Sequence, residues 1–134
     1  MGNDLSDRLL NRSSGPPPDL PDGITLVRSL RGHTDYVGRI AWSRDGRLLA
    51  SPSADQTIRL WDSETGECLK TLTGHSDVVF AVAFDPSGQT LASAGLDDYV
   101  MLWSTATGMR RRLLGKHRNG AFTVAFQPAD RFLV

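Results

Sequence analysis

From Ile24 onward the apolar residues fall in short clusters broken by turn residues, the pattern of an all-β chain. One stretch shows how the strands arise. Val37 to Ser43 carries Ile40 and Trp42 on one face and ends at Arg44-Asp45-Gly46, where glycine supplies the positive φ of a tight hairpin. The partner strand runs from about Leu48 to Ser53. Thr57 to Trp61 alternates β-branched and long side chains, and Gly66 closes the next turn before Cys68 to Leu72. The pattern then repeats, with strands at Val79 to Phe84, Leu91 to Gly95, Tyr99 to Trp103 and Arg110 to Leu114, and turns at Ser87-Gly88 and Gly108. Each period supplies four strands.

The period itself is readable residue by residue. His33, His75 and His117 stand 42 positions apart, as do Ser51 and Ser93, Asp55 and Asp97, and Trp61 and Trp103. Four residue types held in register across two copies identify repeats of one supersecondary unit.

Gly32-His33 with Trp61-Asp62, and Gly74-His75 with Trp103-Ser104, resemble the Gly-His and Trp-Asp signatures of the WD-repeat β-propeller family over residues 24 to 134. The resemblance implies four-stranded antiparallel blades, each repeat's first strand completing the outer edge of the preceding blade. Repeat 1 covers about 30–71, repeat 2 about 72–113, and a truncated repeat 3 about 114–134. A closed ring takes at least about four blades of roughly 40–45 residues, so the fold expected is a partial, open propeller too short to close. Thr25 to Leu30 is expected as the outer strand of a further blade, and the open blade faces favour association. The chain departs from the family pattern in three places. Ser104 follows the second tryptophan, Lys116 replaces the glycine before His117, and Pro52 falls inside a strand, where its missing N–H predicts a bulge or interrupted ladder.

His33, Ser51 and Asp55 are the ingredients of a hydrolase triad, but a triad needs an exposed nucleophile and an oxyanion site and has no reason to recur in every repeat. The family pattern implies a structural network instead. Asp55 accepts from the imidazole of His33, the imidazole reaches Ser51, and Ser51 meets the indole N–H of Trp61; His75, Ser93, Asp97 and Trp103 repeat the arrangement. The three histidines lie on different blades, too dispersed for a metal site, and the lone Cys68 makes neither an internal disulfide nor a cysteine metal site. It reads as a small filler in a strand. No cofactor is expected.

Fifteen basic and fifteen acidic residues cancel, and 40% apolar content suits a globular core. The cluster Arg110, Arg111, Arg112, Lys116 and Arg118 reads as a charged outer edge strand, a device against sheet-to-sheet aggregation. It lacks the interleaved aromatics that would point to nucleic acid, so no nucleic-acid partner is expected. Residues 1–23 form a polar segment with Pro16, Pro17 and Pro18, expected to be a disordered tail or linker, in which Leu5, Leu9 and Leu10 allow at most a helical turn. Met1-Gly2-Asn3-Asp4-Leu5-Ser6 fits the myristoylation form. Without a second signal one acyl chain anchors weakly, so a membrane role is expected only if Gly2 is lipidated. A cytoplasmic protein is expected.

These features point to a non-catalytic interaction scaffold, a piece of a larger propeller, binding proteins or peptides and open to self-association or complementation by further blades. The alternative is a regulatory or sensor segment of a multidomain signalling protein; a hydrolase is the third reading. Family members often bind through the face carrying the loop after Gly-His. The positions three and five beyond each histidine there are Tyr36 and Gly38, Val78 and Phe80, and Gly120 and Phe122. Tyr36, Val78, Phe80 and Phe122 are the candidate partner contacts.

Overall fold

The computed structural model describes residues 21–128 and 131–133. The expected disorder of the tail before residue 21, the turn at Leu5 to Leu10 and the acylation site at Gly2 lie outside the described residues. The chain divides into two units, Met1–Arg31 and Gly32–Val134. In the described part of the first, the Ile24 N–H closes a turn on the Pro21 carbonyl at 3.1 Å. The strand expected over Thr25 to Leu30 does not form, since no ladder partner is present among the described residues and an extended segment becomes a strand only by pairing.

The second unit is all-β, with no helix among the described residues. β1 (Ala41–Trp42), β2 (Leu48–Pro52), β3 (Ile58–Asp62) and β4 (Cys68–Leu72) form one antiparallel sheet in sequence order. β5 (Val79–Phe84), β6 (Thr90–Gly95), β7 (Tyr99–Ser104) and β8 (Arg110–Lys116) form the next, and β9 (Ala125–Gln127) with β10 (Arg131–Leu133) forms a final hairpin. The registers repeat as the sequence does. Leu49 pairs with Trp61 and Ser51 with Arg59 in the first sheet, Leu91 with Trp103 and Ser93 with Met101 in the second. The basic strand β8 is an outer edge, with Arg110, Arg111 and Arg112 exposed.

The strand expected over Val37 to Ser43 is shorter, and Pro52 is the reason. In the second sheet the equivalent position is Ala94, which pairs with Ala81 and lets β5 run through a bulge between Val79 and Ala81. Pro52 has no N–H to give at that point, so continuous pairing survives only at Ala41 and Trp42, with an isolated bridge from Val37 to Ser53 beyond the gap. The proline carbonyl still accepts from Gly38 N–H at 2.8 Å.

The two sheets pack through one cluster drawn from both: Ala50, Ile58 and Leu60 of the first with Val82, Leu91, Met101 and Trp103 of the second. Each fully buried large apolar side chain contributes about 1.5–3 kcal/mol. A second cluster joins Ala92, Ala94 and Val100 to Ala121 and Val124 ahead of the last hairpin. Backbone bonds tie successive repeats of the second unit: Val79 N–H to Ser53 O (3.0 Å), Arg39 N–H to Phe80 O (2.8 Å) and Ala121 N–H to Gly95 O (2.9 Å). The architecture is an open propeller segment of four-stranded blades.

Candidate functional site

Beneath each Gly-His loop lies a chain of side-chain hydrogen bonds. In the first blade the His33 Nδ1–H donates to Asp55 Oδ2 at 2.8 Å, the Ser51 hydroxyl donates to His33 Nε2 at 2.7 Å, and the Trp61 indole N–H donates to Ser51 Oγ at 2.8 Å. The tautomer is assigned from this chain of donors, since a carboxylate only accepts. The second blade repeats it through His75, Asp97, Ser93 and Trp103 at 2.8, 2.7 and 2.8 Å. Neither serine is an exposed nucleophile. Both are buried, with the hydroxyl proton and an oxygen lone pair committed inside the blade.

The carboxylates also hold the loops. Asp55 Oδ2 accepts from Thr34 N–H and Asp97 Oδ2 from Ser76 N–H, at 3.2 and 3.0 Å. Burial works against ionisation of Asp55. The Thr57 hydroxyl, the His33 imidazole and the backbone N–H groups of Thr57 and Thr34 outweigh it and hold the carboxyl well below the usual carboxylate range. Burial pushes the His75 imidazole down, and Asp97 opposes that only in part. Among the described residues no cluster of three or more histidine, cysteine or acidic side chains suits a metal ion.

The pinned loops carry the candidate contact residues. Asp35 Oδ1 accepts from Tyr36 N–H and Asp77 Oδ1 from Val78 N–H, both at 2.7 Å, fixing where each side chain leaves the backbone. The Tyr36 carbonyl accepts from Ala54 N–H and the Val78 carbonyl from Leu96 N–H, each at 2.8 Å. Tyr36, Val78 and Phe80 then line one apolar pocket of about 360 Å³ with Val37, Gly38 and Ala54. Gly38 stands there because a Cβ would collide with the Phe80 carbonyl. Phe122 is absent from the pocket wall. It stacks on Phe80 with centroids 4.9 Å apart and planes tilted 31°, and stays 60% exposed. Tyr36 projects furthest, at 86% exposure.

Sequence reasoning missed Val37, Ala54 and Val79 of the pocket wall. Ala54 reaches the pocket through its backbone bond to Tyr36, and no side-chain pattern announces that bond. Cys68 opens β4 half-buried, with its Sγ 3.7 Å from an Arg59 guanidinium nitrogen and no metal-binding company.

Repeated four-stranded blades with this histidine, aspartate, serine and tryptophan arrangement define a propeller-type repeat protein. The WD domain, G-beta repeat family matches at residues 24–62 and 66–104, and the chain belongs to that WD40 family. Among curated proteins it is similar to Protein Mut11 of Chlamydomonas reinhardtii, 44% identical over 59 residues, covering 44% of this chain and 15% of that protein. It is similar to Protein HIRA of Oryza sativa subsp. japonica, 44% identical over 55 residues, covering 41% of this chain and 6% of the relative. Nucleoporin Nup37 of Drosophila melanogaster is 49% identical over 43 residues, covering 32% of this chain and 13% of its own length. The chain thus matches only a small part of each relative.

Proposed function

We propose that this chain is a non-catalytic scaffold whose blades hold a protein or peptide at the face carrying the loops after His33, His75 and His117. WD repeats serve protein–protein interaction, and the relatives Protein HIRA and Nucleoporin Nup37 match this chain over part of its length. The observation that carries the reading is the apolar pocket walled by Tyr36 and Val78, on loops fixed by buried carboxylates, and by Phe80 of β5. A rigid loop with an exposed aromatic is the usual anatomy of a binding hot spot. The chain acts as part of a longer propeller, in the cytoplasm, where further blades complete the ring.

Replacing Tyr36 or Phe80 by alanine is expected to lower capture of partner proteins from native lysate while the thermal unfolding midpoint stays close to that of the parent. Capture that persists in both variants would remove the site, and so would a loss of capture that tracks loss of folding.

A further inference from the structure

β8 is the longest strand among the described residues, seven residues reading Arg-Arg-Arg-Leu-Leu-Gly-Lys, and it pairs on one side only, with β7. Along its other side the backbone N–H and C=O groups meet no ladder partner among the described residues. Protected edges are usually short, and the fourth strand of a radial blade is the outermost, so added blades do not cover it. The equivalent edge β4 has one basic residue, Lys70 at the position of Arg112, with Cys68 and Leu69 in place of Arg110 and Arg111. The strongly positive edge is thus a property of the second blade and not of the repeat.

Little of this charge is met within the chain. Lys116 Nζ lies 4.0 Å from Asp98 Oδ2, and Arg111 donates to the Thr90 hydroxyl at 3.2 Å. Arg110, Arg112 and Arg118 are exposed and have no ion-pair partner among the described residues. Arg110 pairs with Trp103 and Arg112 with Leu102, which are adjacent on β7 and face opposite sides of the sheet. Guanidinium groups therefore flank the free edge on both faces.

An occupant has to match the edge and the charge together. A phosphate polymer or a lipid surface brings anions but no row of amides, and leaves the edge groups unpaired. A neutral strand pairs with the edge and leaves the arginines unmatched, while a second copy of β8 sets arginine against arginine. An extended peptide with consecutive acidic residues meets both demands: its backbone continues the ladder and its carboxylates, alternating between faces, reach the guanidinium groups on either side. Leu113, 47% exposed among the charges, offers the same strand an apolar contact.

We propose that β8 binds an extended peptide containing consecutive Asp or Glu residues, added as a fifth strand to the second blade. Tyr36, Val78 and Phe80 take no part, so failure here leaves the loop-face reading intact.

The test is a titration of the full chain with the end-blocked hexapeptide Val-Glu-Glu-Glu-Val-Val, with binding followed by calorimetry and its location by amide hydrogen exchange. Saturable binding is expected, with slowed exchange confined to β8. Affinity should be at least about tenfold weaker when glutamine replaces the three glutamates, and likewise for the parent peptide on an Arg110→Gln/Arg112→Gln chain. The Arg110→Lys/Arg112→Lys chain, which keeps the charge, is expected to stay within severalfold of the parent, and comparison with it serves if the glutamine chain fails to fold. The glutamate peptide N-methylated at every residue keeps its carboxylates, loses every N–H, and is expected not to bind. The proposal is overturned if the glutamate peptide shows no saturable binding at millimolar concentration, if the glutamine or N-methylated peptide binds equally, or if protection appears away from β8. Equal binding of an oligothymidylate of the same charge also overturns it, by showing a general polyanion surface.

Discussion

Ser93 holds two obligations at once, donating to the His75 imidazole and accepting from the Trp103 indole, and Ser51 does the same between His33 and Trp61. A network in which every member is satisfied fails as a unit when one member goes. Trp61→Ala is expected to cost about 3–5 kcal/mol through the cavity it opens. Asp55→Ala is expected to cost about 1–3 kcal/mol because the His33 donor is stranded in a largely buried site. Arg44→Ala, on an exposed turn, should stay within about 0.5 kcal/mol of the parent. Denaturant unfolding of the three variants checks the order, and equal midpoints would refute the network. The same groups set the pH dependence. The folded state lowers the proton affinity of His75, so its contribution is fully present above the unfolded value of about 6.5 and is lost as pH falls below it. Asp55, also lowered, contributes fully above about 3.9 and loses its contribution as pH falls further. Thermal midpoints should therefore decline in two stages on acidification, and His75→Gln should flatten the upper stage while leaving the lower one. A single stage below about pH 4 in the parent would contradict the assignment to His75.

At the scale of elements, the strands were legible where alternation and turn chemistry agreed. β2, β3 and β4, and all of β5 to β8, fall within a few residues of the stretches marked by Gly46, Gly66, Ser87-Gly88 and Gly108. The bonds among His33, Ser51, Asp55 and Trp61 are those the WD-repeat resemblance implied, and the 42-residue register carries them to the second blade. What failed were elements whose existence depends on a partner. Thr25 to Leu30 has the residues of a strand but no ladder, and β1 is cut short by a proline whose effect lies on the neighbouring strand. The pocket was legible only through its aromatics, since Ala54 enters it by a backbone bond. The glycines before His33 and His75 show how much context matters. Gly74 sits at φ 153° and a Cβ there would stand 3.0 Å from the Trp103 ring, packed in the core between blades. At Gly32, φ 155°, the obstacle is the end of the flexible Arg59 side chain. Gly74→Ala is therefore expected to destabilise by about 1–3 kcal/mol and Gly32→Ala by clearly less, as measured by thermal unfolding. Equal losses would show that backbone strain, common to both, outweighs the ring contact.

On the scale of the whole molecule, the blades carry the same face in two different surroundings. In the second blade that face bears Val82, Phe84, Leu91 and Met101 and is packed on the first, leaving Val82 4% exposed. In the first blade the equivalent positions are Ile40, Trp42, Leu49 and Arg59, and Ile40 is 48% exposed. Arg59 takes the place of Met101, lies 5.9 Å over the Trp61 ring, and keeps its Nε enclosed without an acceptor. A surface that is core in one repeat and open in the next favours association, because covering it recovers the burial the second blade already has. Arg59 limits how that happens. An apolar blade back would also desolvate the part of the Arg59 guanidinium that is still exposed, whereas a cover bearing an acceptor would pair it. The chain is therefore expected to self-associate on concentration, with Ile40→Lys reducing the association and Arg59→Met increasing it. Light scattering across a concentration series measures both. Hydrogen exchange should show β5 to β7 protected most and β1 least, since β1 has two paired residues and no cover. A strictly monomeric chain with β1 as protected as β6 would show that this face is satisfied without a partner.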